Sequence, residues 1–331
     1  AAGSRAVLPV VPGIDLPQVH TNDTIMRLEE FPQRLVVLGG GVVAAEFSHV
    51  FSALGAQVYQ VVRSNRILRE VDKEVVDRFI EAASHQWNIL LERSLVEIRE
   101  NGDGTVTVVV EHDGEVEEIV ADAVLAATGR RSNSDTLKAS SFFDVDSRGF
   151  IGTDKYQRVL YNGSPVPGVF ALGDVSSPFQ LKHVANHEAR TVQHNLSHPD
   201  SFVASDHRFV PAAVFSNPQI ATVGLSEENA RKLGEREGFE VTVKSQNYGD
   251  TAYGWAMEDS VGLAKLIARK DTGQLLGAHL VGEEASVLIQ PLIQAMSFGL
   301  GVKDMARGQY WIHPALTEVI ENALLGLDVD N

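Results

Sequence analysis

Gly39, Gly41 and Ala44 follow the spacing G-x-G-x-x-A, directly after the apolar run Leu35-Val36-Val37-Leu38 and at the start of a helix-periodic stretch. Glycines there permit a tight strand-to-helix turn and let backbone N–H groups approach a pyrophosphate, whose charge a helix N-terminus favours. An acidic residue about 20 positions on usually holds a ribose hydroxyl in such sites. Here the second strand ends at Val62 and is followed by Arg63-Ser64-Asn65-Arg66-Ile67-Leu68-Arg69. Three arginines in seven residues supply the forked, charge-assisted donors that a 2′-phosphate requires, which favours NADPH over NADH. A second cluster, His183, His187, His194 and His198, includes an i,i+4 pair on one helix face. No carboxylate or cysteine completes a ligand set around it, so no metal is expected.

The elements that position these residues read in a fixed order. A strand at 35–38, a helix at 42–54 closed by Gly55, and a strand at 58–62 make a βαβ start, the signature of a doubly wound sheet. A helix over 73–85 follows, then a hairpin of 105–111 and 115–120 turning on His112-Asp113-Gly114. A buried strand at 123–128 closes on Gly129, and a helix is expected over 181–196. From Phe209 the pattern changes to short strands (212–215, 241–244, 262–268, 274–281) and then helices, which is an α+β order.

Composition excludes several classes. The 331 residues carry a formal net charge of −16, which opposes general binding to nucleic acid or anionic membrane. No apolar run approaches the roughly 20 residues of a membrane span, and the expectation is a cytoplasmic protein. The chain has no cysteine, so it holds no disulfide, thiolate metal site or thiol nucleophile.

Taken together, the motifs resemble the flavoprotein pyridine nucleotide-disulfide reductases, in family order along the chain. Ala1-Ala2-Gly3-Ser4-Arg5 is similar to the A-T-G-S-x-P segment, with Ala2 and Ala6 replacing its Thr and Pro. Leu38 to Phe47 is similar to the nicotinamide fingerprint with its characteristic Glu46, and Arg63 and Arg69 match the 2′-phosphate arginines. Ala127-Thr128-Gly129-Arg130 matches the second A-T-G-R motif, with Ser132-Asn133 in place of Pro-Asn. Val169 to Asp174 matches the flavin motif, Val214 to Leu225 the opening of the interface domain, and His313-Pro314-Ala315-Leu316-Thr317-Glu318 the C-terminal H-P-x-x-x-E motif. The wording of 181–188 and 310–327 is most like the mycothione reductase branch.

The resemblance implies an α/β chain with a Rossmann-like NADPH domain (21–130) inserted in part of an FAD domain (1–20 and 131–205), and an α+β dimerisation domain (206–331). It implies NADPH at Gly39, Gly41, Ala44, Glu46, Arg63 and Arg69, and FAD beside Gly129, Gly173, Asp174 and His183. His313 becomes the acid/base, oriented by Glu318, in a homodimer acting on a small-molecule disulfide. Cis peptides are implied at Asn217-Pro218 and His313-Pro314. The family's cysteine pair and first flavin fingerprint have no counterpart here. The chain is therefore expected to be a fragment that holds no FAD normally and is inactive alone. Glutathione reductase-like and mercuric reductase-like enzymes, and a non-catalytic NADPH-binding or dimerisation module, are the alternative readings.

Overall fold

The computed structural model describes residues 1–330. Their contacts divide the chain into two compact units, one of residues 1–8 and 128–207 and one of residues 9–127 and 208 onward.

Along the chain the first elements are Ser4–Ala6 (β1), Val19–His20 (β2), Arg34–Leu38 (β3), Val42–Ala53 (α1), Gln57–Val62 (β4) and Lys73–Ala83 (α2). Next come Asn88–Leu91 (β5), Ser94–Glu100 (β6), Val106–His112 (β7), Glu115–Ala121 (β8), Ala123–Ala126 (β9) and Arg130–Ser132 (β10). Arg158–Tyr161 (β11), Ser164–Phe170 (β12) and Lys182–Ser197 (α3) complete the middle of the chain. The C-terminal part holds Ala212–Val214 (β13), Gln219–Gly224 (β14), Glu227–Glu237 (α4), Val241–Asn247 (β15), Ala252–Ala256 (α5), Leu263–Arg269 (β16) and Leu275–Gly282 (β17). Four helices end it: Ala285–Leu288 (α6), Gln290–Phe298 (α7), Val302–Arg307 (α8) and Glu318–Leu325 (α9).

In the larger unit, β2-β9-β3-β4-β5 form a parallel sheet. Such a sheet must be covered on both faces, and the continuous apolar run of β3 meets that need by alternation. Leu35 and Val37 pack with α1 and α2 residues such as Ala44, Val75 and Phe79. Val36 and Leu38 face the other way, onto Ile98, Val106, Val108 and Val110. That second cover is an antiparallel sheet, β6-β7-β8, so the expected hairpin is two strands of a three-stranded meander. Asn88–Leu91 and Ser94–Glu100 were not anticipated as strands. Asn88–Leu91 is short, with one polar and three apolar residues, and Ser94–Glu100 is about half polar; pairing with β4 and β7 makes them strands.

The C-terminal segment forms the antiparallel sheet β13-β14-β17-β16-β15 with α4–α9 around it. Val214, Ile220, Leu263 and Val281 from this sheet join the same core as α1 and α2. A polar row crosses the sheet: in register lie Thr222 and His279, His279 and Lys265, and Ser245 and Lys265. Lys265 is 4% exposed, and its ammonium reaches Asp72 (3.0 Å), Glu74 (3.1 Å) and Glu227 (2.7 Å). Asp72, 2% exposed, caps two helices at once: its carboxylate accepts from Glu74 N–H at the start of α2 and from Glu227 N–H at the start of α4.

The smaller unit contains the β1–β10 and β11–β12 pairs and α3. α3 buries a stripe of Val184, Glu188, Thr191, Val192 and Asn195, the i, i+4, i+7 spacing of one helix face. No described helix is long and apolar enough to cross a membrane.

The polar row generates a stability prediction. Burial alone would raise the Asp72 and Glu227 carboxyls, but the bonds from Glu227 N–H, Lys265 and Arg231 hold both below their ordinary range. Burial would likewise lower Lys265, yet its three carboxylates push it above the ordinary lysine value. The carboxylate contribution is therefore present above the ordinary carboxylate range and lost as pH falls through the depressed values. The lysine contribution is present below its ordinary value and lost as pH rises through the raised one. Lys265→Ala is expected to cost about 3–5 kcal/mol by stranding buried carboxylates. Glu228→Ala, at the exposed Glu228–Lys232 pair, is expected to leave stability nearly unchanged, because water screens that pair. Denaturant titration of the two variants measures the contrast.

Candidate functional site

The glycine turn is held from three sides. Gly39 N–H donates to Val61 O (2.9 Å), and Leu68 N–H donates to Gly40 O (2.7 Å). Gln60, fully buried inside β4, donates to Gly39 O (3.0 Å) and accepts from the Trp87 indole (3.0 Å). Gly39 takes φ +134°, open to glycine without strain. A Cβ on Gly40 would lie 2.8 Å from Val62 Cγ1, whereas one on Gly41 would meet nothing within 4 Å. So Gly40 serves the packing of the turn, while Gly41 faces open space.

Gly41 is also the N-cap of α1, with no side-chain cap, so the first N–H groups of the helix have no intrahelical acceptor. An anion carrying several oxygens fits that end by charge and by donor geometry. Ala44, in the first turn, is fully buried. Because Leu38 pairs with Val61 in register, Arg63 emerges at the same sheet edge as the turn. Arg63 and Arg69 are exposed, and neither forms an ion pair among the described residues. The Arg66 guanidinium instead donates to Arg69 O (2.6 Å) and shapes the loop. Two un-neutralised guanidiniums beside an open helix start, in a chain of net charge −16, fit a nucleotide phosphate. Glu46 lies one helical turn in; burial raises its carboxyl, opposed by the N–H of Phe215, which it accepts at 2.9 Å.

The smaller unit brings the two A-T-G-like segments together as β1 and β10, with Ser4 opposite Ser132 and Ala6 opposite Arg130. Val7 N–H donates to Gly129 O (3.0 Å), and Gly129 itself has φ +140°. Asn133 holds the crossing through Ala2 O (2.9 Å), Gly3 O (3.0 Å) and the Arg5 guanidinium (3.0 Å), so Ser132-Asn133 keeps the segments joined without the proline. Ser4 Oγ donates to Asp174 Oδ2 (2.6 Å) and accepts from Arg130 Nε (2.8 Å).

Asp174 belongs to the one-turn helix Gly173–Val175, just before α3, and His183 is exposed in the first turn of α3. Between and beside them, Ser177 Oγ, Gln180 Nε2 and His187 Nε2 are buried without hydrogen-bond partners. Native structures rarely leave such atoms orphaned, so the stretch fits a bound group rich in donors and acceptors, as a flavin is. Of the three histidines on α3 and His198 just past its end, His194 and His198 stack at 4.4 Å and His187 meets His207 edge-on at 6.5 Å.

His313 Nδ1 donates to Glu318 Oε1 (2.8 Å), and Glu318, the first residue of α9, also accepts from Ala315 N–H at 3.4 Å. The ring is 68% exposed, so Nε2 faces outward while the carboxylate, 17% exposed, fixes the tautomer. Both implied cis peptides, Asn217-Pro218 and His313-Pro314, are present. Sequence reasoning missed Gln60, Asp72, Glu188, His207 and Lys265. For Glu188 and Lys265 there was a signal, a charged residue on an apolar helix face or inside an apolar strand.

This combination, a glycine turn on a parallel sheet, paired A-T-G-like strands and a C-terminal His–Glu pair, defines a dinucleotide-dependent redox protein. Residues 1–189 match the pyridine nucleotide-disulphide oxidoreductase family, and residues 210–324 match its dimerisation domain. The chain is 52% identical to mycothione reductase of Mycobacterium tuberculosis (strain ATCC 25618 / H37Rv) over 335 residues, covering 99% of this chain and 69% of that protein. It is 32% identical to dihydrolipoyl dehydrogenase of Synechocystis sp. (strain ATCC 27184 / PCC 6803 / Kazusa), covering 95% of this chain and 67% of that one. Among solved structures it is similar to the HOCl-induced flavoprotein disulfide reductase RclA from Escherichia coli, with TM-score 0.86 and 26% identity over 98% of this chain and 72% of that one. The chain belongs to the pyridine nucleotide-disulphide oxidoreductases, the flavoprotein disulfide oxidoreductases.

The Ser4 junction sets an expectation for the smaller unit. Ser4→Ala removes one donor from Asp174 and one acceptor from Arg130, so it is expected to destabilise this unit by about 1–3 kcal/mol. Hydrogen exchange should then speed up in β10 while β3, in the other unit, keeps its protection.

Proposed function

We propose that the chain supplies the NADPH-binding, dimerising and acid–base parts of a homodimeric NADPH-dependent reductase of a mycothione-type disulfide. The observation that carries this reading is the His313–Glu318 pair, whose fixed Nδ1–H leaves Nε2 exposed to exchange protons. Similarity to mycothione reductase over 99% of the chain supports the substrate class. We assign residues 1–20 and 131–205 to the flavin side, 21–130 to NADPH, and 206–331 to dimerisation.

In this reading the N–H groups opening α1 hold the NADPH pyrophosphate, with Gly39, Gly41 and Ala44 allowing close approach. Arg63 and Arg69 hold the 2′-phosphate. Glu46 fixes the body of α1 against Phe215. On the flavin side, Asp174 presents a carboxylate oriented by Ser4, with Gly129, Gly173 and His183 around it. FAD, when bound, supplies the two-electron relay between NADPH and the disulfide. His313 gives a proton to the thiolate released from the substrate and recovers it afterwards, and Glu318 stabilises the imidazolium that holds it. The sequence contains no cysteine, so we place the redox-active thiols outside these 331 residues.

Each charge-assisted bond contributes roughly 1.5–3 kcal/mol, so losing even one should weaken NADPH binding more than about tenfold. Replacing both Arg63 and Arg69 by alanine is expected to bring NADPH and NADH near parity by titration calorimetry; an unchanged preference would refute the assignment. In the holoenzyme, His313→Ala should lower disulfide turnover by about 10²–10⁴-fold. NADPH affinity should stay unchanged, and a variant with full turnover would remove His313 from the mechanism.

A further inference from the structure

Glu188 is a carboxylate buried to 2% exposure on the inner face of α3, and the acid–base scheme above makes no use of it. An ionised group so placed is retained only when its oxygens are taken up by donors. Here both are: Oε2 accepts the Gly173 N–H at 2.6 Å, and Oε1 accepts from His207 Nε2 at 2.9 Å.

Gly173 is the residue immediately before Asp174. It sits at φ +70°, a left-handed conformation, and its missing Cβ would come within 3.3 Å of Ala185 Cβ on α3. Its carbonyl accepts from both Ser176 and Ser177 N–H, so the turn that presents Asp174 pivots on this one residue. The amide side of the pivot is held by Glu188 alone among the bonds of the turn. His207 is fixed in its turn. Its ring stacks on Phe179 at 5.7 Å, and Asn195 and Thr191 bind the irregular segment before it at Val203 and Ser205.

We infer that Glu188 is a positioning residue for the flavin: with His207 behind it, it clamps the Gly173 N–H and so sets where the Asp174 carboxylate stands. The inference rests on the reading of Asp174 as a flavin ligand. The role is geometric. An amide at position 188 can still offer an oxygen to Gly173 N–H and an NH₂ group to the imidazole, whereas alanine offers nothing. Aspartate keeps the charge but is one methylene too short to span both partners.

The test is the flavin dissociation constant of the holoenzyme, read by flavin fluorescence, for Asp174→Ala, Glu188→Ala, Glu188→Asp, Glu188→Gln and the Asp174→Ala/Glu188→Ala double variant. Expected are losses of about tenfold or more for Glu188→Ala and Glu188→Asp, and retention within about threefold for Glu188→Gln. The double variant should bind flavin no more weakly than Asp174→Ala alone, because Glu188 acts through Asp174; simple loss of structure would make the two effects add. NADPH affinity serves as the control and should not move. Should Glu188→Ala fail to fold, the Asp and Gln variants carry the comparison. Additive losses, an unaffected Glu188→Asp, or a Glu188→Gln as weak as Glu188→Asp would overturn the inference while leaving Asp174 in place. If Asp174→Ala itself keeps full affinity, the flavin reading falls and the inference with it.

Discussion

A lysine ammonium with almost no access to water anchors the larger unit. Lys265 projects from β16 into three carboxylates, and one of them, Asp72, accepts the opening N–H groups of both α2 and α4. The start of a helix that covers the parallel sheet and the start of a helix of the C-terminal sheet are thereby fixed to one side chain. Burying a charge is unfavourable unless every proton and lone pair finds a partner. That condition is met here by the helix N-termini as much as by the ions, since each contributes partial positive charge where the carboxylates are in excess. His279, beside Lys265 in the sheet, is kept below its ordinary value chiefly by burial, and bonds Leu225 O and Thr222. A neutral imidazole adds no second cation next to the ammonium.

With that junction set, the end of the parallel sheet that carries the glycine turn has few remaining freedoms. β3 is apolar on both sides and is sealed by helices on one face and by the β6–β8 meander on the other. The turn at its end cannot shift without breaking the Gly39, Gly40 and Gln60 bonds. Polar chemistry is then confined to the sheet edge, where the uncapped start of α1 and the arginine loop face outward. The smaller unit uses a different device, a buried carboxylate and a serine that immobilise a short turn between β12 and α3.

Much of this was legible without coordinates. The βαβ start, the hairpin strands, α3 and most of the C-terminal strands follow from periodicity and turn chemistry, with ends displaced by a residue or two, or three for β15 (Val241–Asn247). β5 and β6 escaped because Asn88-Ile89-Leu90-Leu91 and Ser94 to Glu100 have weak intrinsic patterns; hydrogen bonding to neighbours already in place makes them strands. The cover of the second sheet face was equally hidden, since the alternating apolar face of a hairpin does not say which layer it packs against.

The sequence by itself determined the motif chemistry, because glycine turns, forked cations and a His-Pro-x-x-x-Glu spacing are local and need only neighbours within a few residues. Gly39, Gly41, Arg63, Arg69, His313 and Glu318 are of this kind. Tertiary structure alone decided which distant groups meet. Asp72 and Lys265 are separated by 193 positions, Ser4 and Asp174 by 170, and Glu188 stands 15 residues from the peptide it clamps. A buried ion or polar group is specified by its partner across the core, and no propensity or period encodes that partner. Folding selects it because the alternative is an unsatisfied charge in a low-dielectric interior.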